Sequence, residues 1–297
     1  TDKLNMKKLV VQKSEIFYRE QLSSSFIIQQ LDNFMSEILS NLRKQVTILT
    51  PEESQNLMTY DQKFALSPLY KETPIMDNQV FLGAKAYYLK KLFLNNYPVP
   101  PGFVVTTEVF RRINSILKVD PINEEFDKML LRHLAEIEKI TGLKFGNPEH
   151  PLLLSVRSGS AISMPGAMNT FLNVGLNDEI TEKLSEQDNY GWTSWDCYRR
   201  LLQTWGMAHG LDRNDFDQII LNYKKKYNVT QKIEFTPANM REIAFAYKQF
   251  LIDNGVEFES NPFQQLKKAI VAVFDSWNSP RAKVYRHHMH IAEEWGT

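Results

Sequence analysis

The sequence predicts a helix-rich α+β fold: a mixed α/β core interrupted by a stretch that is almost purely helical. Three observations lead there. Between Val80 and Val156, apolar residues at helical spacing alternate with short apolar, β-branched runs. From about Glu179 to Glu257 the strand signals vanish and aromatic-rich helical periodicity takes over. The composition, 43% hydrophobic and 24% charged over 297 residues, is that of a chain able to bury a sizeable core.

The expected organisation is a helical N-terminal extension or linker over 1–75, an α/β subdomain built from 76–178 and 258–297, and a helical subdomain inserted at 179–257. Ser23, Ser24 and Ser25 offer N-caps for a helix carrying Phe26, Ile27, Leu31, Phe34, Ile38 and Leu42 at helical spacing. Thr50 can cap a second helix, with Pro51 at its first position and Glu52 and Glu53 facing the positive end of the dipole. A third helix opens at Phe81-Leu82-Gly83-Ala84-Lys85-Ala86 and runs through Phe93. It is followed by a rigid turn at Tyr97–Gly102, where prolines fix φ and Gly102 permits what they cannot. Phe103–Val105 reads as a strand, with Thr106 capping the next helix. Phe126, Met129, Leu130, Leu134, Ile137 and Ile140 form the apolar face of a longer helix ending at Gly142. Leu152–Val156 reads as one buried strand delivering Arg157, and a last helix carries Phe263, Leu266, Ile270, Val273 and Phe274.

Charge excludes some partners. Thirty-five basic residues balance thirty-five acidic ones, so no global field attracts nucleic acid or an anionic membrane. No apolar run approaches the roughly 20 residues of a membrane helix. The lone cysteine, Cys197, lies among Trp192, Trp195, Tyr198 and Trp205, reads as a buried thiol, and fits a reducing, cytoplasmic location. An N-terminus without Met or signal sequence and an abrupt end at Trp295-Gly296-Thr297 suggest a piece of a longer protein.

The most informative segment runs from Arg157 to Thr170. A strand ends in a guanidinium, whose planar fork suits phosphate oxygens. A loop follows in which Gly159 and Gly166 allow close backbone approach, and Ser158, Ser160, Ser163 and Thr170 add hydroxyl donors. These residues alone leave a second reading open, an arginine paired with a carboxylate and an ordinary connecting loop. Lys85, near a helix start, could set an ammonium beside a phosphate or simply face solvent. There is no G-x-x-x-x-G-K-[ST] loop. His287, His288 and His290 follow Arg281, Lys283 and Arg286 and read as a solvated basic face rather than metal ligands. His209 reads as a helix end and Lys224–Lys226 as a solvated run.

Taken in order, four segments resemble the N-terminal region of the pyruvate phosphate dikinase family, from about Val80 to Thr297. They are the Lys85 segment with its Pro-Val-Pro-Pro-Gly-Phe sequence, the stretch Ser155–Gly175, Phe274–Ala282, and Glu294–Thr297. The resemblance implies a partial ATP-grasp-like nucleotide-binding domain with the helical insert. In that family ATP is cleaved and phosphoryl passes to a histidine on a mobile domain, then to pyruvate at a distant barrel. It implies that Lys85, Arg157, Ser158, Gly159, Met164, Pro165, Gly166, Asn169 and Thr170 line the ATP site. Mg²⁺ ligands, the phosphohistidine domain and the pyruvate/phosphoenolpyruvate domain would lie beyond this chain, leaving it inactive alone. Where the family usually has Gly-Gly-Lys-Gly-Ala, this sequence has Gly83-Ala84-Lys85-Ala86-Tyr87, and its usual Asp before the threonine is Asn169. Alternatives are a related dikinase with a glucan or antibiotic acceptor, and a non-catalytic nucleotide-binding module.

Overall fold

The structure, a computed structural model, describes residues 2–46, 48–160, 164, 166–292 and 296–297; along the first helix it describes the side chains of residues 6–22, 28–40 and 44. Ser163, Pro165, Glu294 and Trp295 therefore lie outside the described residues.

Helix α1 runs unbroken over Asp2–Val46. Ser23–Ser25 lie inside it rather than capping a new helix. The stretch contains no Pro or Gly, and a serine in a helix interior costs only about half a kcal/mol relative to alanine. Helix α2 (Pro51–Met58) starts as its sequence predicts: Thr50 and Glu53 form a reciprocal capping box, with bonds of 3.2 and 2.9 Å.

Strand β1 (Leu66–Pro68) precedes helix α3 (Gln79–Leu94) and pairs antiparallel with β2 (Phe103–Val105), Leu66 facing Val105. The chain reverses at Asn95–Asn96, where Asn96 takes φ 61°. Tyr97–Gly102 is an extended connection rather than a turn, and Gly102 has no positive φ. What needs a glycine there is space, since a Cβ would meet the Leu69 side chain at 3.3 Å.

Three helices follow, α4 (Thr107–Phe110), α5 (Ile113–Lys118) and α6 (Asp120–Thr141). Thr106 caps α4, and α6 buries Phe126, Leu130, Leu134 and Ile137 before Gly142 ends it at φ 72°. The run Leu152–Val156 is not one strand. Strand β4 (Pro151–Leu152) pairs in parallel with β3 (Lys144–Phe145), whereas β5 (Leu154–Arg157) pairs antiparallel with β6 (Thr170–Val174). Two different partners claim neighbouring residues, so the ladder breaks at Leu153.

The rest is helical: α7 (Asp178–Ser185), α8 (Gly191–Ala208), α9 (Arg213–Tyr227), α10 (Pro237–Asp253), α11 (Pro262–Asp275) and α12 (Pro280–Met289). The fold is helix-rich α+β. Helix α8 is central to its core: Trp195, Tyr198, Leu201, Leu202 and Trp205 are buried against Phe171 and Val174 of β6 and against α10. Asp196, also buried, is paired by Arg199 at 2.8 Å, Arg200 at 2.8 Å and Lys232 at 3.0 Å. Burial alone would raise its carboxyl pKa, but these cations and their hydrogen bonds hold it below the ordinary range.

Past β6 the backbone turns inward, and buried amides there need partners. Gln265 of α11 supplies them. Its Oε1 accepts from Gly175 N–H at 2.6 Å, and its Nε2 donates to the carbonyls of Leu176 and Glu259 at 3.0 and 2.8 Å.

Candidate phosphate-binding site

The period-2 geometry of β5 decides which side chains reach the candidate site. Leu154 and Val156 pack against the core, while Ser155 and Arg157 point to the open face. Arg157 is in register with Thr170, which is exposed on the same face. The structure thus sets Arg157 and Thr170 opposite each other on the open face at the rim of the β5–β6 sheet.

Glycine contacts bring the Lys85 segment to this rim. Gly83 interrupts α3 with φ 71° and ψ 165°, and its backbone lies against that of Gly159. A Cβ on Gly83 would fall 1.3 Å from the Gly159 carbonyl oxygen, and one on Gly159 would meet the Leu82 carbonyl at 3.3 Å. Helix resumes at Ala84, so Lys85 stands exposed in the first turn beyond the break. The two segments singled out separately in the sequence are neighbours in space.

The opposite face of α3 is anchored. Lys90 is buried and donates to Thr73 Oγ1 at 2.7 Å and to Ser67 Oγ at 3.2 Å; it pairs with Asp77 at 2.5 Å. Asp77 also accepts from the Thr73 amide and hydroxyl. Burial pushes the Asp77 carboxyl up, but the bonds from Lys90 and Thr73 outweigh it and hold it below its usual range. Sequence reasoning missed Lys90. The signal was its place on the buried stripe of α3, eight residues after Leu82.

The far end of the loop is stitched to the corner between α11 and α12. Met164 is buried against Trp277 and Ile291 rather than open to the rim. Gly166 turns the chain at φ 69°. The Asn169 amide N–H donates to Ser276 Oγ at 3.1 Å, and its side-chain Nδ2 donates to the Ala272 carbonyl at 3.4 Å, so Asn169 faces α11. Ser279 Oγ donates to the Ala167 carbonyl at 3.4 Å. Trp277 is clamped in turn by Arg286, whose guanidinium stacks 4.4 Å from the indole centroid and donates to the Trp277 carbonyl. Ser158 and Gly159 are half-buried at the near end of the loop.

Elsewhere, His287, His288 and His290 are exposed at the end of α12, and His209 closes α8 with its ring 2.8 Å from the Trp205 carbonyl. Cys197 is half-buried, and desolvation pushes its thiol pKa up. Among the described residues, no group of three or more His, Cys, Asp or Glu side chains is placed to hold a metal ion. No described helix is long and apolar enough to cross a membrane.

An exposed arginine thus ends a strand, the loop after it touches a glycine-broken lysine helix, and the far end of that loop is tied to α11. Residues 111–297 match the family described as pyruvate phosphate dikinase, AMP/ATP-binding domain, and the chain belongs to that family. It is 36% identical over 219 residues to pyruvate, phosphate dikinase of Clostridium symbiosum, covering 73% of this chain and 25% of that protein. It is 37% identical over 219 residues to the Rhizobium meliloti enzyme, covering 73% and 24%. Against the chloroplastic enzyme of Mesembryanthemum crystallinum it is 32% identical over 274 residues, covering 92% and 28%. The chain spans about a quarter of the length of these relatives.

Proposed function

We propose that this chain is the ATP-binding part of a pyruvate phosphate dikinase-like phosphotransferase, in which phosphoryl passes from ATP to a histidine on a domain outside these residues. The observation that carries the reading is the Gly83–Gly159 contact, which sets the Lys85 turn beside the Arg157 rim. In this reading Lys85 and Arg157 bind phosphate oxygens and offset their charge, and Arg157 orients them through its fork of donors. Ser158, Gly159, Gly166 and Thr170 offer backbone and hydroxyl donors along the loop. Asn169 and Met164 contribute by holding the loop to α11 and Trp277. Magnesium, when bound, would neutralise phosphate charge, and no residue of this chain is assigned to it.

Residues 76–178 and 258–297 are read as the ATP-binding subdomain, with 179–257 inserted. The return of α11 to β5 and β6 after the helical stretch supports this. In this reading the parent protein passes the phosphoryl group onward to pyruvate, and the isolated chain should give no pyruvate- and phosphate-dependent ATP cleavage. Calorimetric titration with Mg·ATP tests the site. Arg157→Ala should weaken binding at least about tenfold, the equivalent of about 1.4 kcal/mol. Unchanged affinity in that variant removes Arg157 from the phosphate site.

A further inference from the structure

Helix α3, which carries Lys85, is in two pieces, and the second is held by a charge rather than by an apolar stripe. Gly83, at φ 71° and ψ 165°, separates residues 79–82 from residues 84–94. The first piece is fixed at its start. Asn78 accepts there from the Val80 and Phe81 amides, and Phe81 stacks on Phe64 with ring centroids 5.5 Å apart. Among the described residues 84–94, Lys90 alone is buried. Tyr88, Leu89, Leu92 and Leu94 stand 37–56% exposed. A helix in a protein is held mostly by burying an apolar face, and this piece has no fully buried apolar side chain.

Lys90 does the work of that face. An ammonium has three N–H donors, and here they meet Ser67 Oγ of β1, Thr73 Oγ1 of the connection, and the Asp77 carboxylate just ahead of the helix. Asp77 precedes the break and Lys90 follows it, so the pair staples the chain across the Gly83 discontinuity. An apolar side chain could roll in such a place, whereas a buried ammonium that shifts away from its acceptors strands a charge. Lys85 lies five residues earlier on the same piece, about 140° round the helix axis, exposed on the side away from the staple. We propose that Lys90 is a positioning residue for nucleotide binding. Through Asp77 it sets the angle of the second piece of α3, and so where the Lys85 ammonium stands relative to the Arg157 rim. The proposal rests on the reading of Lys85 as a phosphate ligand. The Gly83–Gly159 contact fixes the pivot, and the staple fixes the arm. Without the staple the turn bearing Lys85 swings at Gly83, and its order must be restored whenever a phosphate binds, at a cost in affinity.

Calorimetric titration of the full chain with Mg·ATP, run as a double-mutant cycle, tests this. Lys85→Ala should raise Kd about tenfold, the loss of one charge-assisted contact. Lys90→Met should raise it about fivefold, the cost of ordering one loosened side chain. Because Lys90 acts through Lys85, the double variant should stay near the tenfold of Lys85→Ala, short of the roughly fiftyfold product. A role in stability alone would lower affinity by the same factor in either background. Asp77→Asn keeps the shape and removes the charge, so it should show the same pattern at smaller size even where Lys90→Met folds poorly. Unchanged Kd in Lys90→Met and Asp77→Asn, or double variants at the full product, overturns the positioning role and leaves the phosphate site standing. Failure of the phosphate reading looks different: the wild-type chain takes up no Mg·ATP, or Lys85→Ala binds it as the wild type does, and the positioning role falls with it.

Discussion

Gly83 and Gly159 are in backbone contact, so close that a methyl group on the first would fall 1.3 Å from the carbonyl oxygen of the second. Gly83 also has φ 71° with ψ 165°, a region essentially reserved for glycine that costs other residues on the order of 1–3 kcal/mol. Gly83→Ala should therefore displace the Arg157 loop, costing about 3 kcal/mol or more and abolishing ATP binding. Gly159→Ala faces only a 3.3 Å contact and no positive φ, so its cost should stay near 1 kcal/mol. Thermal melts and ATP titrations of the two variants check this; equal effects would mean that the contact does not place the loop.

Asn169 donates to the Ala272 carbonyl, which a carboxylate cannot do. Asn169→Asp should cost about 1 kcal/mol through the lost donor and the oxygen–oxygen repulsion, a fall of a few degrees in Tm. Asn169→Ser should cost less, because it introduces no charge. A stabilised Asn169→Asp variant would show that the side chain does not hold the loop to α11.

The Lys90–Asp77 pair makes acid stability depend on Asp77. Its folded-state pKa lies below the ordinary 3.8. The stabilisation is therefore fully present above that value and fades as pH falls through the lower folded one. Asp77→Asn should flatten the low-pH limb of a stability profile below about pH 4. At neutral pH, Asp77→Ala should cost about 3–5 kcal/mol by stranding a buried ammonium. Lys90→Met should cost less, since Asp77 keeps 22% exposure and its bonds from Thr73.

These anchors also mark where sequence reasoning ran out. The helix faces of α6 and α11 and the capping box at Thr50 were legible, because each is a pattern within one turn or one stripe. The break at Leu153 was not, since it depends on which strands arrive as partners. Arg157 and Lys85 could each be suspected from local chemistry, but their adjacency depends on a glycine contact spanning more than seventy residues. Ser276 and Trp277 lie over a hundred residues from the loop they secure. Lys90 sits beside Lys91, and only its stripe position separates the buried lysine from the exposed one.

Cys197 offers a check on the core. Burial, then the nearby Asp196 carboxylate, raises its thiol pKa, so less thiolate is present at a given pH than in the unfolded chain. Alkylation by iodoacetamide at pH 8 should run at least about tenfold slower in the native protein than in urea, the pKa and the half-burial acting together. Equal rates would place the thiol in solvent.

Gln265 carries a consequence for how the protein is made. The Gly175 amide and Leu176 carbonyl find their partner 90 and 89 residues later in the chain. A ribosome adding about 5–20 residues per second needs roughly 5–20 s to cover that gap. Throughout that interval β6 has emerged while its inward-turning end still relies on water. The nascent sheet must wait, solvated and unsealed, until α11 leaves the exit tunnel.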